Sequence, residues 1–166
     1  MRKLYIIGQI NEKAYKAFSK ELDQLIDEDS SSPVHIELHS EGGNASDGLA
    51  FHGKILACPA PVHIHAHGMV QSAAVAVLAA GTYREATPEC SIMVHDGLTT
   101  ITGTARELIR KAEQLMDDER AWDTLMERGT GTPAFFWRQL SEQETYLTAQ
   151  QALQYGLVDK IIKGKR

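Results

Sequence analysis

The run Gly68-Met69-Val70-Gln71-Ser72-Ala73-Ala74-Val75-Ala76-Val77-Leu78-Ala79-Ala80-Gly81 sets the reading of everything around it. It follows a polar and β-branched run that ends at His67, and beyond Ser72 it contains only Ala, Val and Leu before its closing glycine. Such a composition predicts a buried helix with Ser72 near its first turn, entered from a strand that stops at His67. Amide hydrogens of a first helical turn have no acceptor within the helix, so a nucleophile placed there meets donors for a developing negative charge. For one serine taken alone, a helix cap or a small core residue is the ordinary alternative.

Upstream, Val62 to His67 reads as a strand that carries His63, His65 and His67 on one face, because side chains alternate along a strand. Three imidazoles at that spacing suit zinc, but no Cys or carboxylate motif accompanies them, and a partly wet or interfacial face is the reading preferred. Cys58-Pro59-Ala60-Pro61 is a rigid connector. Before it, Val34 to Leu38 is a strand that runs into Ser40-Glu41-Gly42-Gly43-Asn44-Ala45-Ser46, and a helix follows from Asp47 to Leu56. The paired glycines therefore fall at a strand-to-helix turn whose amides can point outward. A phosphate cradle is disfavoured, since no Lys follows the glycines and neither nucleotide fingerprint is complete. At the start, Leu4 to Ile7 is a strand closed by Gly8, and Asn11 caps a helix with Ala14, Phe18, Leu22 and Leu25 on its apolar face. Asp27 to Pro33 reads as a loop.

Downstream, Thr82 to Ala86 and Ser91 to Val94 are strands, the second ending in His95. Thr104 to Arg128 is the longest helix, closed by Gly129, and its length suggests that it projects or packs against another subunit. Pro133 opens a short helix with Phe135, Phe136 and Trp137. Thr145 to Leu147 is extended, Thr148 with Gln151 forms a capping box for a helix that ends at Gly156, and Leu157 to Ile162 is a last strand. Strands alternate with helices throughout, which predicts an α/β fold with a largely parallel sheet, in a single domain spanning residues 1–166.

With 166 residues, 43% of them hydrophobic, the chain can bury a sizeable core. Its net charge of −5 provides no basic footprint for nucleic acid; only the final Lys160-Ile161-Ile162-Lys163-Gly164-Lys165-Arg166 is locally basic, as a solvated tail is. Two cysteines without a C-x-x-C pair or a leader point to a reducing compartment, and with no long apolar span a soluble, cytoplasmic protein is expected.

A serine attacks a carbonyl when a base takes its proton and donors hold the oxyanion, a third group orienting the base. His95, at the end of an apolar strand, is the candidate base. The amides of Gly43 and of Ala73, the residue after the serine, are candidate oxyanion donors.

At these residues the chain resembles the proteolytic subunits of the Clp serine peptidase family. Ser40 to Gly43 matches the family's S-P-G-G, Gly68 to Ala73 its G-M-A-x-S-M, Met93-Val94-His95 its M-I-H, and Ala149 to Asp159 its late A-x-x-A-x-x-Y-G-L-I-D segment, all in the family's order. The resemblance implies a ClpP/crotonase-like fold of repeated β-β-α units with a protruding handle helix, here Thr104 to Arg128. It implies Ser72 as nucleophile, His95 as general base and then acid, and Glu144 as the acid, standing where the family usually has Asp. Asp96 is a poor substitute, because adjacent strand residues face opposite ways. Gly43 and Ala73 would supply the oxyanion hole, and backbone at Gly42, Asn44 and Ala45 and at Asp96 and Gly97 would bind an extended polypeptide. Glu41 replaces the family's Pro and Ala73 its Met; main-chain donors survive both changes.

The function so implied is a serine endopeptidase acting inside stacked, often heptameric rings of identical subunits, with no metal or other cofactor. The chain opens almost at its first strand, without the family's preceding axial-loop segment, which leaves an ATP-driven unfoldase an optional partner. Housekeeping degradation fits, and so does a minimal phage-type relative that processes capsid proteins. Two rivals are an acyl-CoA enzyme of crotonase type and a catalytically inactive structural subunit of a Clp-type assembly.

Overall fold

The first three strand-helix units are built on long strands that change register or partner partway along. The computed structural model describes residues 2–162, so the last four residues of the basic tail lie outside the described residues. The elements are β1 (Lys3–Ile10), α1 (Glu12–Glu28), β2 (Val34–Gly43), α2 (Ala45–Leu56), β3 (Val62–Gln71), α3 (Ala73–Ala79), β4 (Tyr83–Ala86), β5 (Ser91–Val94), α4 (Ala105–Thr130), α5 (Ala134–Glu142), β6 (Thr145–Leu147), α6 (Ala149–Gln154) and β7 (Lys160–Ile161). The sheet runs β1-β2-β3-β4-β7, and β5 pairs with both β3 and β6. Among the described residues, only the β5–β6 pair is antiparallel.

The register slips between Ile7 and Gln9 and again between Leu38 and Ser40. In β3 the two halves have different neighbours: His63–Ala66 pairs with β4, and Met69–Gln71 with β5. The sheet thus forks at Gly68, whose φ of 64° suits glycine. A Cβ there would stand 2.5 Å from Nδ1 of His39, and that nitrogen accepts the N–H of Met69 at 3.2 Å. The strand therefore continues past His67 and past Gly8, where the sequence predicted it to stop, because glycine absorbs the kink and the ladder resumes beyond it.

Val34, Ile36 and Leu38 of β2 and Val62, Ile64 and Ala66 of β3 point into the core with Phe18 and Leu22 of α1 and every residue of α3. Burying Phe18 and Leu22 is worth about 1.5–3 kcal/mol each, which holds α1 on the sheet. The β-branched Val75 and Val77 are weak helix formers; their complete burial, not propensity, keeps α3 helical. The other face of the sheet carries half-buried His35, His63, His65 and His67, with Glu37 paired to Lys3 at 2.6 Å and Glu85 to Lys160 at 2.8 Å. Histidines 63, 65 and 67 share that face as expected. Among the described residues, no group of three or more His, Cys, Asp or Glu is arranged to hold a metal ion.

The long helix begins as predicted, with a capping box between Thr104 and Glu107, but does not stop at Gly129. Gly129 is a packing residue, since a Cβ on it would lie 2.8 Å from the carbonyl oxygen of Ala79 in α3. The stop is Gly131, at φ 75°, whose N–H donates to the carbonyl of Glu127 at 2.8 Å. Arg84 of β4 clamps this corner, donating to Asp159 through its guanidinium at 2.9 Å and to the carbonyl of Gly129 at 2.6 Å. The last strand is shorter than expected, as buried Leu157 and Val158 belong to the turn that precedes it. Among the described residues, no helix is long and apolar enough to cross a membrane.

Candidate active site

The strand fork brings Ser72 and His95 together. Gln71 is paired with Met93, and the N–H of Ser72 donates to the carbonyl of Met93 at 2.8 Å, so the serine is fixed beside β5 two residues before His95. Oγ of Ser72 then lies 2.8 Å from Nε2 of His95. The distance is that of a hydroxyl-to-imidazole hydrogen bond, the contact through which a base can take the serine proton.

Ser72 occupies a sharp strand-to-helix turn at φ 52° and ψ −125°, backbone that a residue with a side chain rarely adopts. Ser72 is near the first helical turn as expected, standing directly before it, since the helix begins at Ala73; Met69–Gln71 belong to the strand. The turn is held because Ala73 and the rest of α3 are buried on one side of it and the β3–β5 ladder lies on the other.

Gly42 completes the close packing. A Cβ on this buried residue would sit 2.5 Å from the carbonyl oxygen of Gln71, 2.7 Å from Cβ of Ser72 and 3.1 Å from the nitrogen of Ala73. Its φ of 91° also favours glycine. Gly43 is exposed at φ 148°, and a Cβ there would meet the carbonyl oxygen of Ile10 at 2.2 Å. The glycine turn therefore abuts the serine turn. As the first residue of α3, Ala73 has an amide with no acceptor inside the helix.

Glu144 is placed differently from a bonded acid. The antiparallel register pairs Ile92 with Leu147, Met93 with Tyr146 and Val94 with Thr145, and the ladder ends there, with His95 and Glu144 each one residue beyond its last pair. The Glu144 side chain is nevertheless exposed, its φ is 46°, and the side-chain hydrogen bond that His95 makes is the one to Ser72.

The other candidates have partners of their own. The side chain of Asn44 caps α2 by accepting the N–H of Asp47 at 3.0 Å, and its own N–H goes to the carbonyl of Ile10 at 2.9 Å. Ala45 opens α2 and is exposed, as is Gly97. Asp96 forms an ion pair with Arg138 of α5. Nothing in the sequence singles out Arg138, because the residues around it come from three separate elements.

Burial pushes the Asp123 carboxyl of α4 up to about 6, helped by the charges of Glu119 and Glu142. Burial likewise lowers His52 of α2, whose Nδ1 lies 2.8 Å from the carbonyl of Ala76 and so braces α2 against the helix after Ser72. Cys90 is raised to about 11 by burial, and neither cysteine is in a disulfide.

This geometry defines a serine hydroxyl engaged by an imidazole at a strained strand-to-helix turn of a parallel α/β sheet. A family model for Clp protease matches residues 1–165. The chain is 30% identical to the ATP-dependent Clp protease proteolytic subunit 1 of Mycobacterium tuberculosis over 163 residues, 97% of this chain and 82% of that protein. It is likewise 30% identical to the ATP-dependent Clp protease proteolytic subunit of Ligilactobacillus salivarius over 167 residues, covering 99% and 85% of the two chains. The corresponding subunit 2 of Treponema denticola is 28% identical over 167 residues, with 99% and 84% covered. The chain belongs to the Clp protease family.

Proposed function

We propose that this chain is a serine endopeptidase that hydrolyses peptide bonds of unfolded polypeptides through an acyl-enzyme on Ser72. The observation that carries the reading is the 2.8 Å approach of Ser72 Oγ to His95 Nε2. In this mechanism Nε2 accepts the hydroxyl proton as Oγ attacks the scissile carbonyl. The tetrahedral oxyanion is held by the amides of Gly43 and Ala73, and the imidazolium then protonates the leaving amine. Water, deprotonated by His95, releases the acyl group and regenerates Ser72. Glu144 is the third member, turning its carboxylate to Nδ1 when substrate orders the site.

An extended substrate pairs with backbone at Gly42, Asn44 and Ala45 on one side and at Asp96 and Gly97 on the other, a mode that reads main chain more than side chains. The chain, a single domain of residues 1–166, assembles in the cytoplasm into stacked rings of identical subunits, which in this family are often heptameric. Exposed Leu108, Ile109 and Met116 on α4 support a role for that helix in assembly. The relatives are named as ATP-dependent proteolytic subunits, and an ATP-driven unfoldase is an optional partner here.

The test is cleavage of an unfolded protein and of a fluorogenic peptide by the purified chain, without nucleotide. Wild type is expected to cleave the peptide and Ser72→Ala is not. Cleavage that persists in the variant contradicts the mechanism.

A further inference from the structure

The last turn of α5 holds the residue that follows His95. The carbonyl of Ser141 accepts the N–H of Asp96 at 3.2 Å and that of Glu144 at 3.1 Å. One acceptor therefore ties down the residue after the histidine and the candidate acid Glu144. One turn earlier on α5, Arg138 reaches the same segment with its side chain. Its guanidinium pairs with Asp96, lies 3.1 Å from Glu119 and 3.7 Å from Asp123 of α4, and approaches Glu142 of its own helix at 3.7 Å. The Arg138 side chain is 23% exposed and that of Asp123 only 7%, while those of Asp96, Glu119 and Glu142 are 40%, 38% and 59% exposed, so water screens the outer pairs and least the one with Asp123.

We propose that Arg138 is a positioning residue for His95, holding the chain after the base through Asp96 and offsetting the carboxylates that surround it. The inference rests on the serine-peptidase reading above. A guanidinium suits the task because its planar fork presents several donors in fixed directions, so it can serve Asp96 and the α4 carboxylates together; an ammonium cannot hold that geometry. The charges do not balance: one cation faces Asp96, Glu119, Asp123 and Glu142. Asp123 is displaced upward chiefly by burial, with the charges of Glu119 and Glu142 adding to it. Removing the cation leaves Asp96, the residue next to His95 in the chain, without its counter-charge, and an uncompensated anion near an imidazole favours the protonated ring.

The test is the rate at which a fluorophosphonate acylates Ser72, measured from pH 5 to 9 on the full chain. Arg138→Gln is expected to slow labelling about tenfold near neutrality and to raise the acid limb by roughly half a pH unit. Arg138→Lys keeps the charge, so its limb stays at the wild-type pH while its rate recovers only in part. Glu119→Gln removes an anion at a partly exposed position and lowers the limb by a few tenths of a unit; it carries the test should Arg138→Gln fail to fold. A slower rate with an unmoved limb in Arg138→Gln, or an unmoved limb in Glu119→Gln, reduces Arg138 to a structural part and overturns the proposal. Wild type that does not label at any pH contradicts the serine-peptidase reading itself, and the inference falls with it.

Discussion

Glu144 and His95 each lie one residue beyond the last β5–β6 pair, Val94 with Thr145, yet Glu144 is exposed and its backbone sits at φ 46°. The ladder ends just before both residues, and the left-handed turn there sets where the Glu144 side chain points. A backbone of this kind costs about 1 kcal/mol or more for a residue other than glycine and persists where its surroundings fix it.

The first prediction concerns that carboxylate. If it swings to Nδ1 of His95 during turnover, Glu144→Gln lowers the acylation rate by about 100-fold or more while leaving stability within about 0.5 kcal/mol. Stopped-flow or quenched labelling measures it. A wild-type rate in this variant would show that the serine and histidine work without Glu144.

A second prediction separates packing from backbone freedom at two glycines. Gly42→Ala places a methyl against Gln71 and Ser72 at a φ of 91°, whereas Gly8→Ala, at φ 82°, meets nothing within 4 Å. Denaturant unfolding should show a loss of about 3 kcal/mol or more for the first and about 1 kcal/mol for the second. Only the first should abolish acylation. Equal losses would mean that the glycine turn does not bear on the serine turn.

At the end of the long helix, Gly129→Ala should cost more than Gly131→Ala. The first drives a methyl toward the Ala79 carbonyl at 2.8 Å, while the second has open space and pays only for its φ of 75°. The expected losses are about 2–3 and about 1 kcal/mol. The reverse order in thermal or denaturant melts would return the helix stop to Gly129.

Asp123 gives a pH-dependent prediction. Its folded pKa of about 6 lies above the ordinary 3.8, so the folded state holds the charged form at a penalty above pH 6, and the penalty disappears as pH falls through the unfolded value. Asp123→Asn should therefore stabilise the chain by about 1–2 kcal/mol at pH 8 and by nothing near pH 3.5, at fixed protein concentration. A variant destabilised at pH 8 would mean that Arg138 holds Asp123 as a favourable ion.

Much of this was legible in the chain because the signals are local. Periodicity places α1 on its Phe18 and Leu22 face, the Asn11, Thr104 and Thr148 caps lie where a short polar side chain precedes a helix, and Ser91 to Val94 is strand to the residue. The apolar run after Ser72 announces a buried helix, and the strand-end position of His95 announces a residue free to reach across. What stayed hidden depends on distant groups. Gly8 and Gly68 look like strand ends, but the strands resume because the neighbouring ladder and the His39 ring support the kink. Gly129 looks like a helix stop until Ala79 is packed against it. The partners of Arg138 lie on the post-β5 segment, α4 and α5, and no spacing along the chain connects them.

The most direct test of the account is intact-mass measurement after treatment with a fluorophosphonate, on wild type and on Ser72→Ala. The account predicts one adduct per wild-type chain and none on the variant, with assembly and melting unchanged between them. An unlabelled wild type, or an adduct that survives in Ser72→Ala, would contradict an activated serine at this turn.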